Sequence, residues 1–187
     1  TGFRWQPWPG CHFWPCTPFS ASSYPIWGDL TMARIPLQVF VFVLVVVRHD
    51  ERFLLIQEAA AERGTWFLPA GGVLPGESLI EAAVRETREE AGIDVIPRAL
   101  LWMDDQTALL AEDVWAGRWR FILRADPADA SPQPHATADS LDAGWFTVDE
   151  VAQLPLRSLE ALTIFKTVAR GCPELPLDSG YRVLPLK

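Results

Sequence analysis

Between Leu37 and Val47 the chain reads LQVFVFVLVVV, the longest apolar run it contains. The run is too short for a membrane-crossing helix, which takes roughly 20 residues. It is crowded with β-branched valines, which suit a pleated surface better than a helix, so it reads as a buried strand. A buried strand demands a core around it. The 187 residues supply one such core and fall short of two ordinary domains. With 49% hydrophobic and 21% charged residues, the chain is globular rather than disordered in composition.

Patterning divides the chain unevenly. Residues 1–31 hold Trp5, Trp8, Trp14 and Trp27 among prolines 7, 9, 15, 18 and 25, without hydrophobic period. The chain starts at Thr1, and Met32 stands directly before a well-patterned stretch. We therefore expect an accessory or non-native extension over 1–31, a folded domain over 32–171 and a tail over 172–187. The competing expectation is that the tryptophans pack on the domain or on a second copy in a homodimer. Within the domain, strands are predicted at 37–47, 53–57, Trp66–Pro69, 98–104, 117–125 and 143–147. Helices are predicted at 79–91 and 158–170, the second stopped by Gly171. A glycine-rich loop spans 70–77, a hairpin turn lies near Ala111–Asp113, and 126–140 is a polar, proline-bearing loop. Strands and helices mixed in this way indicate an α/β or α+β layered fold.

Charge narrows the partners. The formal net charge is −8, and the only lysines are Lys166 and Lys187. Such a chain lacks the basic stripe that grips a nucleic-acid polymer, though it could take a small polyanion if cations supplied positive charge. The three cysteines (Cys11, Cys16 and Cys172) form no disulfide framework, which favours a reducing, cytoplasmic setting. Cys11-His12 and Cys16 lack a second ligand pair at zinc-site spacing. No secretory leader pattern opens the chain, and no membrane association is expected.

The chemistry gathers at residues 71–93, GGVLPGESLIEAAVRETREEAGI. Ser78 and Glu81 form a capping box for a helix, and Gly92 suits the left-handed position past its end. At about 100° per residue, Ile80, Val84, Thr87 and Ala91 share the face expected to be buried. Glu86, Glu89 and Glu90 fall within an arc of about 100° beside it. Like charges four residues apart cost a few tenths of a kcal/mol when exposed and more when partly buried. RETREE alone would be an ordinary solvated face. The preceding Pro69-Ala70-Gly71-Gly72 lets backbone approach a ligand closely, and Pro75-Gly76 turns Glu77 to the helix start. A divalent cation among the carboxylates would account for the cluster, since Mg²⁺ takes carboxylate oxygens, waters and substrate phosphates. GGVLPGES misses a nucleotide-binding P-loop at one decisive place: Glu77 stands where the phosphate-binding lysine belongs.

The full spacing runs Gly71, five residues, Glu77, seven residues, then Arg85-Glu86-Thr87-Arg88-Glu89-Glu90-Ala91-Gly92-Ile93. It resembles the signature of the Nudix (MutT-like) hydrolases, departing only at Thr87, where an aliphatic residue is usual. FLLIQEA, GTWFLPAGG and DAGWFTVDEVAQLPL resemble the family's flanks, so the likeness covers roughly residues 36–170. It implies a mixed β-sheet sandwiched between helices and hydrolysis of a nucleoside diphosphate linked to another moiety, with Mg²⁺ or Mn²⁺. Carried over, Glu89, Glu90 and the Gly71 carbonyl would be metal ligands. Glu86 would be a ligand or the base that activates water, held by Arg85, with Glu77 supporting the site. A further acid often comes from a later loop. Asp139 is the candidate, with Glu112 and Asp142 behind it, and His135 reads as a surface histidine. LLIQEA followed by RGTWFLPAGG resembles the branch that acts on oxidised purine nucleotides such as 8-oxo-dGDP and 8-oxo-dGTP. Trp66 or Phe67 would then contact the base, although a core position on a short strand also fits them. Markers of the ADP-ribose and diadenosine-polyphosphate branches are missing near Ala108. The alternatives are an ADP-ribose or dinucleotide pyrophosphatase, or a non-catalytic sensor that binds a nucleotide.

Overall fold

A computed structural model describes residues 38–60, 62–111 and 114–181. The extension 1–31, Met32, Glu112, the turn residues after Ala111 and the last six residues lie outside that set. The valine run forms β1 (Gln38–His49), which hairpins into β2 (Arg52–Glu58) through a turn with Asp50 at φ 53°. After β3 (Trp66–Phe67) and β4 (Ala70–Gly72) comes α1 (Leu79–Ala91). A long hairpin follows, β5 (Val95–Ala111) and β6 (Val114–Pro127), then β7 (Ser140–Phe146). The chain closes with α2 (Val148–Val151), α3 (Glu160–Ala169), β8 (Leu175–Pro176) and α4 (Leu177–Gly180).

The strands join in one mixed sheet, ordered β3-β2-β1-β6-β5-β8, with β4 paired to β1 and β7 to β2. β1 runs parallel to β6 and antiparallel to β4. Helices cover both faces, which explains why β1 is apolar without a break rather than alternating. Val43, Val45 and Val47 face α1 through Ala82, Ala83 and Ala91, joined by Leu54 and Leu123. Leu44 and Val46 face α3 through Ile164, Phe165 and Val168. There Phe53 stacks on Phe165 with ring centroids 4.6 Å apart. Each aliphatic or aromatic side chain so buried contributes about 1.5–3 kcal/mol.

Several elements differ from expectation. Strand pairing extends the hairpin strands to 95–111 and 114–127, and Ala111 opposite Val114 brackets the expected turn. Part of the glycine-rich loop is strand: Phe42, Val43 and Leu44 pair with Gly72, Gly71 and Ala70. On α1, Thr87 and Ala91 are buried as expected, but Ala82 and Ala83 replace Ile80 and Val84, which are only half-buried. Alanines let the helix lie closer to the sheet than isoleucine would, and close packing outweighs side-chain hydrophobicity in choosing the face. Packing also continues past Gly171, where the domain was expected to end. Leu175 and Pro176 pair with Leu100 and Ala99, Leu177 is buried, and the Tyr181 hydroxyl accepts from the Leu79 N–H at 3.2 Å.

Candidate active site

The site is built where α1 crosses the outer edge of β4. Both ends of α1 are held as read from the sequence: Ser78 and Glu81 form the reciprocal capping box, and Gly92 adopts φ 69°. That register points Arg85, Glu86 and Glu90 at β4. Arg85 is the hub. Its Nε and Nη2 donate to Glu77 at 2.7 and 2.9 Å, and its Nη1 donates to Glu86 at 2.7 Å and Glu89 at 3.0 Å. Nη2 also donates to the Gly72 carbonyl at 2.8 Å. One guanidinium thus ties together the Gly72 strand edge, Glu77 of the loop and two carboxylates of one helical turn. The Arg85 hydrogen bond holds Glu77 below the usual carboxylate range.

Glu86 and Glu90 are displaced the other way. Burial pushes the Glu86 carboxyl up despite its bond to Arg85, and pushes Glu90 well above an ordinary glutamate. Glu90 accepts the Ala70 N–H at 2.9 Å. The Glu86 carboxylate lies against Gly71, where any Cβ would overlap it. A side chain at position 71 would therefore displace the Glu86 carboxylate from this place.

The antiparallel register corrects one expectation. Val45 donates to the Pro69 carbonyl and Val73 to the Val41 carbonyl, at 2.8 and 2.9 Å. By the alternation of such ladders, Gly71 opposite Val43 is also a hydrogen-bonded pair, so its carbonyl turns into the sheet. Ala70 and Gly72 present their backbone groups outward, as their bonds to Glu90 and Arg85 show. The carbonyl on the glutamates' side is Ala70's, whereas that of Gly71, expected as a ligand, is turned toward β1.

The other expected residues are placed unequally. Glu89 is 47% exposed at the open side of the cluster. Asp139 is an exposed loop residue whose N–H donates to Thr137 Oγ1, and that hydroxyl donates to the Glu89 carbonyl at 2.5 Å. The Asp139 loop is thus pinned to the end of the glutamate turn. Asp142 is exposed and bonds the adjacent Ala143 N–H through its own carboxylate. His135 is exposed beside Gly92, its N–H donating to Ala91. Trp66 and Phe67 are 9% and 2% exposed. Trp66 meets Phe146 edge-on at 5.0 Å, and Phe67 lies under the Arg157 guanidinium at 4.1 Å. Both rings belong to the core, as the sequence also allowed, and neither offers a face to a base.

A half-buried ion pair has no counterpart among the sequence expectations. Glu58 and Arg157 meet at 2.5 Å, 99 residues apart, and both charges act on Glu90. The signal was present in LLIQEA, whose last charged residue ends a buried strand, but its partner lies too far along the chain to pair by pattern. Among the described residues, no three acidic, histidine or cysteine side chains converge tightly enough to cage a metal. The donor chemistry still fits a hard cation. Glu86, Glu89, Glu90 and the outward Ala70 carbonyl offer only oxygen, and two of the carboxyls are destabilised by burial without a cation.

Residues 36–166 match the NUDIX domain family model. The chain belongs to the Nudix family. Curated Nudix relatives include the 8-oxo-dGDP phosphatase NUDT18 of Mus musculus, 34% identical over 157 residues, covering 83% of this chain and 46% of that protein. The Danio rerio protein of the same name is 40% identical over 124 residues, covering 64% of this chain and 35% of that one. This chain thus spans less than half the length of these relatives. Among solved structures, a NUDIX hydrolase from Nitrosomonas europaea superposes with TM-score 0.61 at 27% identity, over 75% of this chain and 95% of that one. The Nudix fold expected from the signature, a mixed sheet between helices, is the fold observed. No helix among the described residues is long and apolar enough to cross a membrane.

Proposed function

We propose that this Nudix domain hydrolyses a nucleoside diphosphate, with oxidised purine nucleotides of the 8-oxo-dGDP and 8-oxo-dGTP type as its substrates. The observation that carries the reaction is the convergence of buried Glu86 and Glu90 on the outer edge of β4, beside Arg85. The likeness to the 8-oxo-dGDP phosphatases of mouse and zebrafish supports the substrate class.

Glu86, Glu89 and Glu90, with the Ala70 carbonyl, would hold Mg²⁺ or Mn²⁺. When bound, such an ion neutralises diphosphate charge and acidifies water. The chain's own residues do the rest. Arg85 fixes the Glu86 carboxylate, and burial makes that carboxylate more basic, so it takes a proton from an attacking water more readily. Glu77, anchored by two bonds to Arg85 and one to the Leu74 N–H, keeps the guanidinium from turning away. Asp139, on the loop pinned to Glu89, would approach the substrate from the open side.

The test is product formation by the purified chain with Mg²⁺ on 8-oxo-dGDP, 8-oxo-dGTP, unmodified nucleotides, ADP-ribose, NADH and diadenosine polyphosphates, beside Glu89→Gln. We expect metal-dependent turnover, highest on the oxidised guanine nucleotides, falling about a hundredfold or more in the variant. Binding without turnover across the panel would instead make this domain a nucleotide sensor.

A further inference from the structure

Among the described residues, the face of the sheet on the α3 side is only partly covered. Register places Phe42, Arg120 and Asp104 in one row that begins at Gly72, and Phe40, Arg118 and Gln106 in the next row out. Alternation puts these side chains on the same face as Leu44 and Ile122, which pack on α3. Glu160, at the first turn of α3, accepts from Arg120 at 2.6 and 2.9 Å, so the helix covers the Arg120 row and stops. The row of Phe40, Arg118 and Gln106 lies beyond it. Phe40 there is 47% exposed.

The two arginines are not equivalent. Arg120 has carboxylates on either side, Asp104 and Glu160, and is structural. Arg118 is half-buried and donates to a neutral acceptor, Gln106 Oε1, at 3.1 and 2.5 Å. Among the described residues it pairs with no carboxylate. Burial first, and then the Arg120 charge, hold it below the usual guanidinium range, with the Glu160 carboxylate opposing them. Neighbouring strands are about 4.8 Å apart, so Arg120 lies about 10 Å across the sheet from Gly72. Arg118, two residues along β6, is about 12 Å away. That is roughly the span from a nucleotide's diphosphate to the far edge of its base.

We propose that Arg118, steadied by Gln106 and flanked by Phe40 and Phe42, reads the carbonyl edge of a guanine-type base whose diphosphate lies at the glutamates. The proposal rests on the nucleotide reading given above and adds the specificity determinant. Guanidinium N–H groups match the O6 acceptor of guanine, oxidised or not. Adenine presents an amino donor at that position, and the donors would meet head-on with none satisfied. The exposed Phe40 ring supplies apolar surface for the base plane.

The experiment compares the full chain with Arg118→Met and Gln106→Leu in two readouts. The first is kcat and KM on 8-oxo-dGDP, dGDP and dADP. The second is equilibrium binding of the products dGMP and dAMP, which requires no turnover. Arg118→Met should raise KM for both guanine nucleotides about tenfold or more, leave kcat within about threefold, and leave dADP unchanged. It should abolish a preference for dGMP over dAMP. Gln106→Leu should do the same more weakly, and carries the test if Arg118→Met fails to fold. Equal weakening of guanine and adenine ligands would overturn the proposal and make Arg118 a phosphate contact. Unchanged guanine binding would overturn it as well. If no nucleotide is turned over while the dGMP preference persists and depends on Arg118, base reading stands and the hydrolase reading falls. Turnover with a preference independent of Arg118 gives the converse.

Discussion

Glu90 is poorly served by its surroundings as a charged group: it is buried, beside Glu86 and Glu58, with one backbone N–H bonded to it. A residue kept at a cost to stability is expected at a working site. Glu90→Gln keeps an acceptor for the Ala70 N–H while removing the charge. It should lower turnover about a hundredfold or more and raise the melting temperature of the metal-free protein by about 2–4 °C. Calorimetry beside an activity assay checks both, and a lower melting temperature would mean the charge is stabilising. Much at this scale was legible in the sequence. Arg85 and Glu89 are one helical turn apart and Glu77 lies just before the same helix, so their relation is local, and the structure joins them through Arg85. The Gly71 carbonyl was not legible, because its direction depends on which of its neighbours on β1 it bonds. Trp66 and Phe67 were ambiguous for a similar reason: aromatic residues on a two-residue strand read alike whether they face a ligand or Phe146 and Arg157.

At the level of elements, α1 is the part the sequence announced most fully, since capping box, boundaries and left-handed stop are all short-range chemistry. The same ends make it vulnerable. Gly92 holds φ 69°, and a Cβ there would collide with the His135 ring. Gly92→Ala should therefore lose about 1 kcal/mol from backbone strain, and more from displacing the 135–139 loop. Urea midpoints would measure it, and an unchanged midpoint would show that the loop yields freely. Because that loop is tied to Glu89 through Thr137, activity should fall further than stability alone explains. β4, α2 and β8 escaped the sequence reading. A strand spelled Ala-Gly-Gly has no β propensity of its own and exists because β1 supplies its partner. Likewise β8 is two residues held by β5, and its pairing draws the expected tail into the domain.

For the whole molecule, the two displaced carboxyls make stability depend on pH in an unusual direction. Glu86 and Glu90 hold their protons more tightly folded than unfolded. Their contribution to stability is therefore greatest below the ordinary value of 4.5 and is lost as pH rises through their folded values. Glu77 acts oppositely, stabilising above that value and losing its contribution as pH falls, through its bond to Arg85. Without divalent ions, the melting temperature should fall as pH rises above the ordinary carboxylate value of 4.5. A Glu86→Gln/Glu90→Gln double variant should flatten that slope. Mg²⁺ should restore the wild-type melting temperature at the high-pH end and do little for the variant. A pH-independent melting temperature in the wild type would show that both carboxylates are well compensated without metal.

The outer edge of β4 has one more consequence. An unpaired strand edge is a template on which another chain can add itself, and sheet proteins suffer aggregation where such edges lie bare. Here Glu90 occupies the outward Ala70 N–H and Arg85 the outward Gly72 carbonyl. The side chains that assemble the reaction centre thus also seal the sheet against its own copies. Variants that shorten Glu90 or Arg85 would unseal it, so selection for solubility and selection for catalysis would act on the same two positions.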